Sequence, residues 1–229
     1  LNKSDLADQN ATNAWMEYFK SEHTAVIPIC SQNGDGLKNI QAVSERMLSD
    51  KIARQKEKGM VGKGIKALVV GVPNVGKSSF INKICGRNSA KTGDRPGVTK
   101  GKQWITVSST LQLLDTPGIL WPKFEDPNVG LMLAYTGAVK EDVIDVEGLS
   151  CRLMELLWQR YPDKVKERYG IDCEADTPGW QLLEAAGRKR GFLLARGEIN
   201  TERMAKVLLD EFRGGKLGKF TLEMPEENV

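Results

Sequence analysis

Gly71-Val72-Pro73-Asn74-Val75-Gly76-Lys77-Ser78 is the stretch that decides the fold. It fits G-x-x-x-x-G-K-[ST], follows the apolar run Ile65 to Val70, and opens the helical pattern Ser78 to Cys85. Strand, glycine loop and helix in that order form a phosphate cradle. The glycines let backbone N–H groups turn inward, and the helix N-terminus adds partial positive charge. Lys77 is then placed to reach β- and γ-phosphates, and the Ser78 hydroxyl is a hard oxygen ligand suited to magnesium. Asn74, Val75, Gly76, Lys77, Ser78 and Ser79 are the nucleotide-binding candidates of this loop. The nearly unbroken apolar run ahead of it predicts a parallel strand buried on both faces.

Downstream, two strand candidates, Gln103 to Val107 and Thr110 to Leu114, form a predicted hairpin that runs into Asp115-Thr116-Pro117-Gly118. A carboxylate at that strand end can hold the magnesium shell, and the Gly118 N–H can meet a γ-phosphate. Between loop and hairpin lies Arg95-Pro96-Gly97-Val98-Thr99. A threonine there can bond magnesium and sense the γ-phosphate. Thr99 is the candidate, with Thr92 and a plain surface loop as alternatives. Lys77, Thr99 and Gly118 are the catalytic candidates, and Ser78, Thr99 and Asp115 the magnesium candidates.

These parts serve ATP or GTP equally, so the base-reading element decides between them. Asn2-Lys3-Ser4-Asp5 matches N-K-x-D. The carboxylate of Asp5 would accept the guanine N1–H and N2 amine, neither of which adenine offers, so a purine lacking them leaves it unpaired. Lys3 would pack along the base and Asn2 would steady the loops. One predicted helix (Ala11 to Lys20) and one strand candidate (Ala25 to Ile29) later, Ser31-Gln32-Asn33 can supply a backbone N–H to the guanine carbonyl. The expected ligands are GTP or GDP with Mg²⁺.

The order of these motifs is the anomaly, because the base motif precedes the phosphate loop. A sheet tolerates such a circular permutation when its original termini lie close together. Gly36 to Lys58 reads as one long helix fraying into a basic linker. After an apolar helix, Asn128 to Val139, strand signals stop, and Glu147 to Arg160, Pro178 to Gly187 and Thr201 to Arg213 carry amphipathic helical stripes. The expected fold is α/β: a permuted P-loop G domain over residues 1–140, its mostly parallel sheet flanked by helices, followed by an all-α domain over residues 141–229.

No apolar run approaches the roughly 20 residues of a membrane helix. Four scattered cysteines without a C-x-x-C pair read as reduced cytosolic thiols rather than a zinc set. The opening Leu1, with neither Met nor a targeting layout, leads us to expect a preceding segment. The net charge of +3 does not by itself imply nucleic acid. Basic clusters do stand at Lys51, Arg54, Lys56, Lys58, Lys63 and Lys66, and at Arg188, Lys189, Arg190 and Arg196, with Lys216 and Lys219 beyond. Charge alone leaves phosphate contacts and solvated helix faces both open.

The combination G-V-P-N-V-G-K-S, T-G-D-R-P-G-V-T and D-T-P-G-I-L-W-P-K-F-E-D, with the stretch Tyr161-Pro162 to Gly170, resembles the circularly permuted GTPases of the YlqF/YawG group over essentially the whole chain. The resemblance implies a cytoplasmic GTPase acting late in assembly of the large (50S) ribosomal subunit, with the helical domain on ribosomal RNA. A monomer is expected. Relatives also carry an N-terminal segment with a histidine implicated in hydrolysis, which this sequence does not include. Asn74 resembles the asparagine that coordinates potassium in cation-activated GTPases, beside the simpler role of shaping the loop.

Ile119 occupies the place where many GTPases have a water-orienting glutamine. Slow basal hydrolysis raised by a partner is therefore expected. His23, remote from every phosphate motif in sequence, reads as structural or solvated. The main alternative is a GTP-regulated adaptor whose helical domain binds a protein, and a metabolic P-loop ATPase is disfavoured by N-K-S-D.

Overall fold

The computed structural model describes residues 1–59, 64–86, 101–119, 126–139 and 144–225. Thr92, Thr99 and the loop around them, Lys63, and residues 120–125 of the D-T-P-G extension lie outside these. The described residues form two compact units, one of residues 1–122 and 220–229 and one of residues 123–219. The boundary thus falls near residue 122 rather than 140, and helix α5 (Pro127–Tyr135) belongs to the second unit.

The first unit is built on strands β1 (Ile65–Val69), β2 (Gln103–Ser108) and β3 (Leu111–Asp115), in the order β1-β3-β2. β1 runs parallel to β3, with Val69 level with Asp115, and β2 pairs antiparallel with β3. The parallel register therefore brings the end of the apolar run and the aspartate to the same edge. Helix α4 (Lys77–Cys85) packs Ile81 against Ile105, Leu111 and Leu113, all buried, with Ile65, Ala67 and Val69 around them. The opposite face is open: Leu68, Val70 and Trp104 are each more than half exposed, and Lys66 lies over the Trp104 ring. β1 is accordingly covered on one face, not on both.

Helix α1 (Gln9–Phe19) starts where the Asp8 carboxylate accepts the Ala11 N–H, a side-chain cap of a helix N-terminus. Ala25 to Ile29 forms no regular strand. Pro28 lacks an N–H and interrupts a ladder. The stretch still lies alongside the chain start, with Leu1 N donating to Ile27 O, Ile29 N to Leu1 O and Ser4 N to Ile29 O.

The single long helix expected before β1 is two, α2 (Lys38–Met47) and α3 (Ser49–Glu57). Leu48 leaves helical geometry at φ −104°, ψ 12°. Ser49-Asp50 then opens a new helix whose first-turn carboxylate complements its dipole. The last described residues also return to this unit: Phe220 N donates to Leu6 O, Asp8 N to Thr221 Oγ1 and Trp15 Nε1 to Glu223 O.

The second unit contains α5, α6 (Val146–Arg160), α7 (Pro162–Tyr169), α8 (Gly179–Lys189) and α9 (Thr201–Arg213). Its core joins the stripes of three helices: Leu149, Leu153 and Leu157 of α6, Leu182 and Leu183 of α8, and Met204, Leu208 and Leu209 of α9. Arg213 donates to the Ala134 and Tyr135 carbonyls at the end of α5, where helix acceptors would otherwise lack partners. Buried among these helices, Glu211 accepts from Arg168, Tyr169 and Arg190.

Candidate functional site

Two turns of left-handed backbone shape the phosphate loop, at Asn74 (φ 61°) and Gly76 (φ 93°). Gly76 has a steric reason as well, since a Cβ there would stand 2.4 Å from the Asn2 side-chain nitrogen. That nitrogen donates to the Val75 carbonyl at 2.8 Å. The Asn2 oxygen accepts the Ser31 N–H at 3.1 Å and the Ser31 hydroxyl at 2.9 Å. One amide therefore fastens the N-K-S-D turn, the Ser31 loop and the phosphate loop together.

Lys3, next along, takes positive φ (60°), and the turn closes with Leu6 N donating to Lys3 O. Asp5 is half-buried in this turn. Ser31 is buried, while Gln32 and Asn33 are exposed. Asn33 exchanges hydrogen bonds with Asp35, which holds the loop's shape.

On the phosphate side, Lys77 donates to the Gly71 carbonyl at 3.0 Å and to the Val72 carbonyl at 2.9 Å. Burial lowers its ammonium below the ordinary lysine value, while the Asp115 charge pulls the other way. Asp115 is fully buried, and among the described residues no donor stands within hydrogen-bonding geometry of either carboxylate oxygen. Burial raises its carboxyl above the ordinary value, offset in part by the Lys77 charge.

A buried carboxylate with both oxygens open is costly by itself. Together with the Ser78 hydroxyl in the first turn of α4, it is a hard oxygen donor set that fits magnesium. These two residues would hold the ion, and the ion would neutralise phosphate charge.

The D-T-P-G turn is keyed to the same loop. Thr116 Oγ1 donates to the Val69 carbonyl, and Ile119 N donates to the Gly71 carbonyl. A Cβ on Gly118 would lie 2.7 Å from the Pro73 backbone, so only glycine permits this approach. Ile119 itself is two-thirds exposed and carries no polar group. His23 is exposed in the turn after α1. Thr116 was not singled out by sequence. Its signal was its place directly after a strand-end aspartate, but its partner lies 47 residues away.

A phosphate loop pinned to a guanine motif in this way belongs to the P-loop GTPases, and residues 66–149 match the family model described as 50S ribosome-binding GTPase. Ribosome biogenesis GTPase A of Bacillus cereus is 45% identical over 227 residues, covering 99% of this chain and 76% of that protein. Among solved structures, GDP-bound YlqF aligns with a TM-score of 0.64 at 28% identity, covering 99% of this chain and 82% of that one. GNP-bound YlqF from T. maritima aligns at 0.62 and 28% identity, covering 99% and 80%. The chain belongs to the ribosome biogenesis GTPase A family, and its permuted motif order fits the YlqF-type structure.

Proposed function

We propose that this chain is a GTP-hydrolysing assembly factor that acts late in maturation of the large ribosomal subunit, with the helical unit contacting ribosomal RNA. The observation that carries the site is the Asn2 fastening of base motif to phosphate loop, since it makes one pocket of elements far apart in sequence. Asp5 reads the guanine edge, with Lys3 along the base and the loop of Ser31, Gln32 and Asn33 closing the pocket. Asn74 to Ser79 hold the phosphates. Ser78 and Asp115 hold Mg²⁺, joined by Thr99, and the Gly118 N–H meets the γ-phosphate. The protein works as a monomer in the cytoplasm.

When nucleotide binds, phosphate oxygens replace the Gly71 and Val72 carbonyls as acceptors for Lys77. A charge-assisted hydrogen bond of this kind contributes about 1.5–3 kcal/mol. Lys77→Ala should therefore weaken GTP binding roughly 10- to 150-fold and remove hydrolysis, read by nucleotide titration and single-turnover rates. Because Ile119 offers no amide to orient water, wild-type hydrolysis should be slow alone and accelerated by large ribosomal subunits. Comparing turnover with mature subunits, immature subunits and none tests the reading. Fast hydrolysis without particles, or no response to any of them, counts against it.

For Asn74 we propose a potassium contact at the phosphates. Turnover should be faster in potassium than in sodium at equal ionic strength, and equal rates would leave Asn74 a loop-shaping residue only.

A further inference from the structure

Helix α3, like its neighbour α2, includes no buried residue, here over nine positions. A helix this short is marginal in water without tertiary packing. Lys51, Arg54, Lys56 and Lys58 are all exposed, and none is in an ion pair among the described residues.

Lys51, Arg54 and Lys58 are spaced three and four apart, which places them on one side of the helix over about 10 Å. They line a hollow at the junction of α2 and α3 together with Met47, Leu48, Gln55 and a single carboxylate, Asp50. An exposed basic row with an apolar border, on a helix that its own fold does not bury, complements a polyanion.

We infer that α3 is a second ribosomal RNA contact, carried by the first unit and separate from the helical unit. The inference rests on the ribosomal reading above. A polynucleotide backbone presents negative charge at short regular intervals, so a row of cations can engage successive phosphates and release counterions. The guanidinium fork of Arg54 suits a phosphate better than a point contact does.

The test compares the full chain with a Lys51→Glu, Arg54→Glu, Lys58→Glu triple variant. A second triple variant, with Gln at the same positions, keeps good helix formers. Binding to protein-free RNA from large subunits is measured across salt concentrations, and thermal stabilisation by Mg-GTP reports the nucleotide site.

The Glu variant should bind RNA at least ten-fold more weakly near 0.1 M salt, with a salt slope flatter by about 2 to 3. The Gln variant should lie between it and wild type. GTP stabilisation should match wild type in both. Unchanged RNA affinity and slope with GTP stabilisation intact overturns the α3 contact and leaves the GTPase reading standing. Weaker binding to intact subunits but not to stripped RNA makes the partner an acidic protein surface, and also overturns it. Failure of the wild-type chain to bind either target sinks the α3 contact together with the ribosomal reading.

Discussion

Asp5→Asn should lower affinity for GTP on the order of 10⁴-fold, the scale of discrimination available to a site built around a specific hydrogen-bonding partner. The carboxylate accepts from two guanine donors, whereas an amide puts its own N–H₂ against the guanine amine. Two donors then face each other and both lose their water. The same amide can donate to a base carrying a carbonyl at that position, so xanthosine triphosphate should gain on GTP as competitor. Competition of labelled nucleotide by GTP, XTP and ATP reads all three. Asp5 sits in a turn held by Leu6 and Lys3 and does not contribute to the Asn2 junction. The substitution should therefore leave the fold intact. GTP affinity within a few-fold of wild type would refute the assignment of Asp5 to the base.

The second large effect is expected in the helical unit. Glu211, 6% exposed, accepts from Arg168 Nε and the Tyr169 hydroxyl at 3.0 Å each, from Arg168 Nη2, and from Arg190 Nη2 at 3.2 Å. Arg190 also lies over the Tyr169 ring. Glu211→Ala strands two guanidinium groups and a buried hydroxyl. Removing one partner of a buried ion pair costs about 3–5 kcal/mol. With Arg168 and Arg190 each about one-third exposed, the lower end, about 3 kcal/mol, applies. Loss of hydrogen-exchange protection in α7, α8 and α9 should follow.

Burial alone would raise the Glu211 carboxyl. The hydrogen bonds from Arg168 and Tyr169 and the charges of Arg190 and Arg168 outweigh it, so the folded value is lowered from 4.5. The unfolded chain then takes up this proton at higher pH than the folded one. The stabilisation is complete above about pH 4.5 and disappears as pH falls through the depressed folded value. Glu211→Gln should flatten that acid dependence. If wild type and the Gln variant lose stability in parallel through pH 4, Glu211 is not the group responsible.

How much of this was legible follows from how local each feature is. The phosphate loop, β1 and α4 are one continuous segment, and residue type at fixed spacing dictated them. Asp115 was readable because it ends a hairpin strand. The α2–α3 break hid because Leu48 looks like part of a stripe, while the start signal, Ser49-Asp50, sat inside a run with helical periodicity.

Helix α7 carries its boundary signals in plain view, Pro162 in the first turn and Gly170 in left-handed geometry just past the end. At eight residues it is too short for periodicity to stand out. The Glu211 cluster joins three helices, with partners 21 to 43 residues away. Sequence carries no record of which carboxylate meets which guanidinium. The boundary at residue 140 went astray for a related reason: α5 is mainly apolar like a core helix of either unit, and only the bonds from Arg213 show which carbonyls it presents.

The returning tail has a consequence for synthesis. Glu223 meets Trp15 across 208 residues and Thr221 meets Asp8 across 213. As the chain emerges from N- to C-terminus, the first unit waits for residues 220–224 until the helical unit has been made. The helical unit, contiguous from 123 to 219, is free to fold within that interval. Closing a loop of this length carries an entropic cost that grows only logarithmically with its size. Prior compaction of the intervening helices shortens the search, so the nucleotide-binding unit is completed only after the helical unit between its two parts.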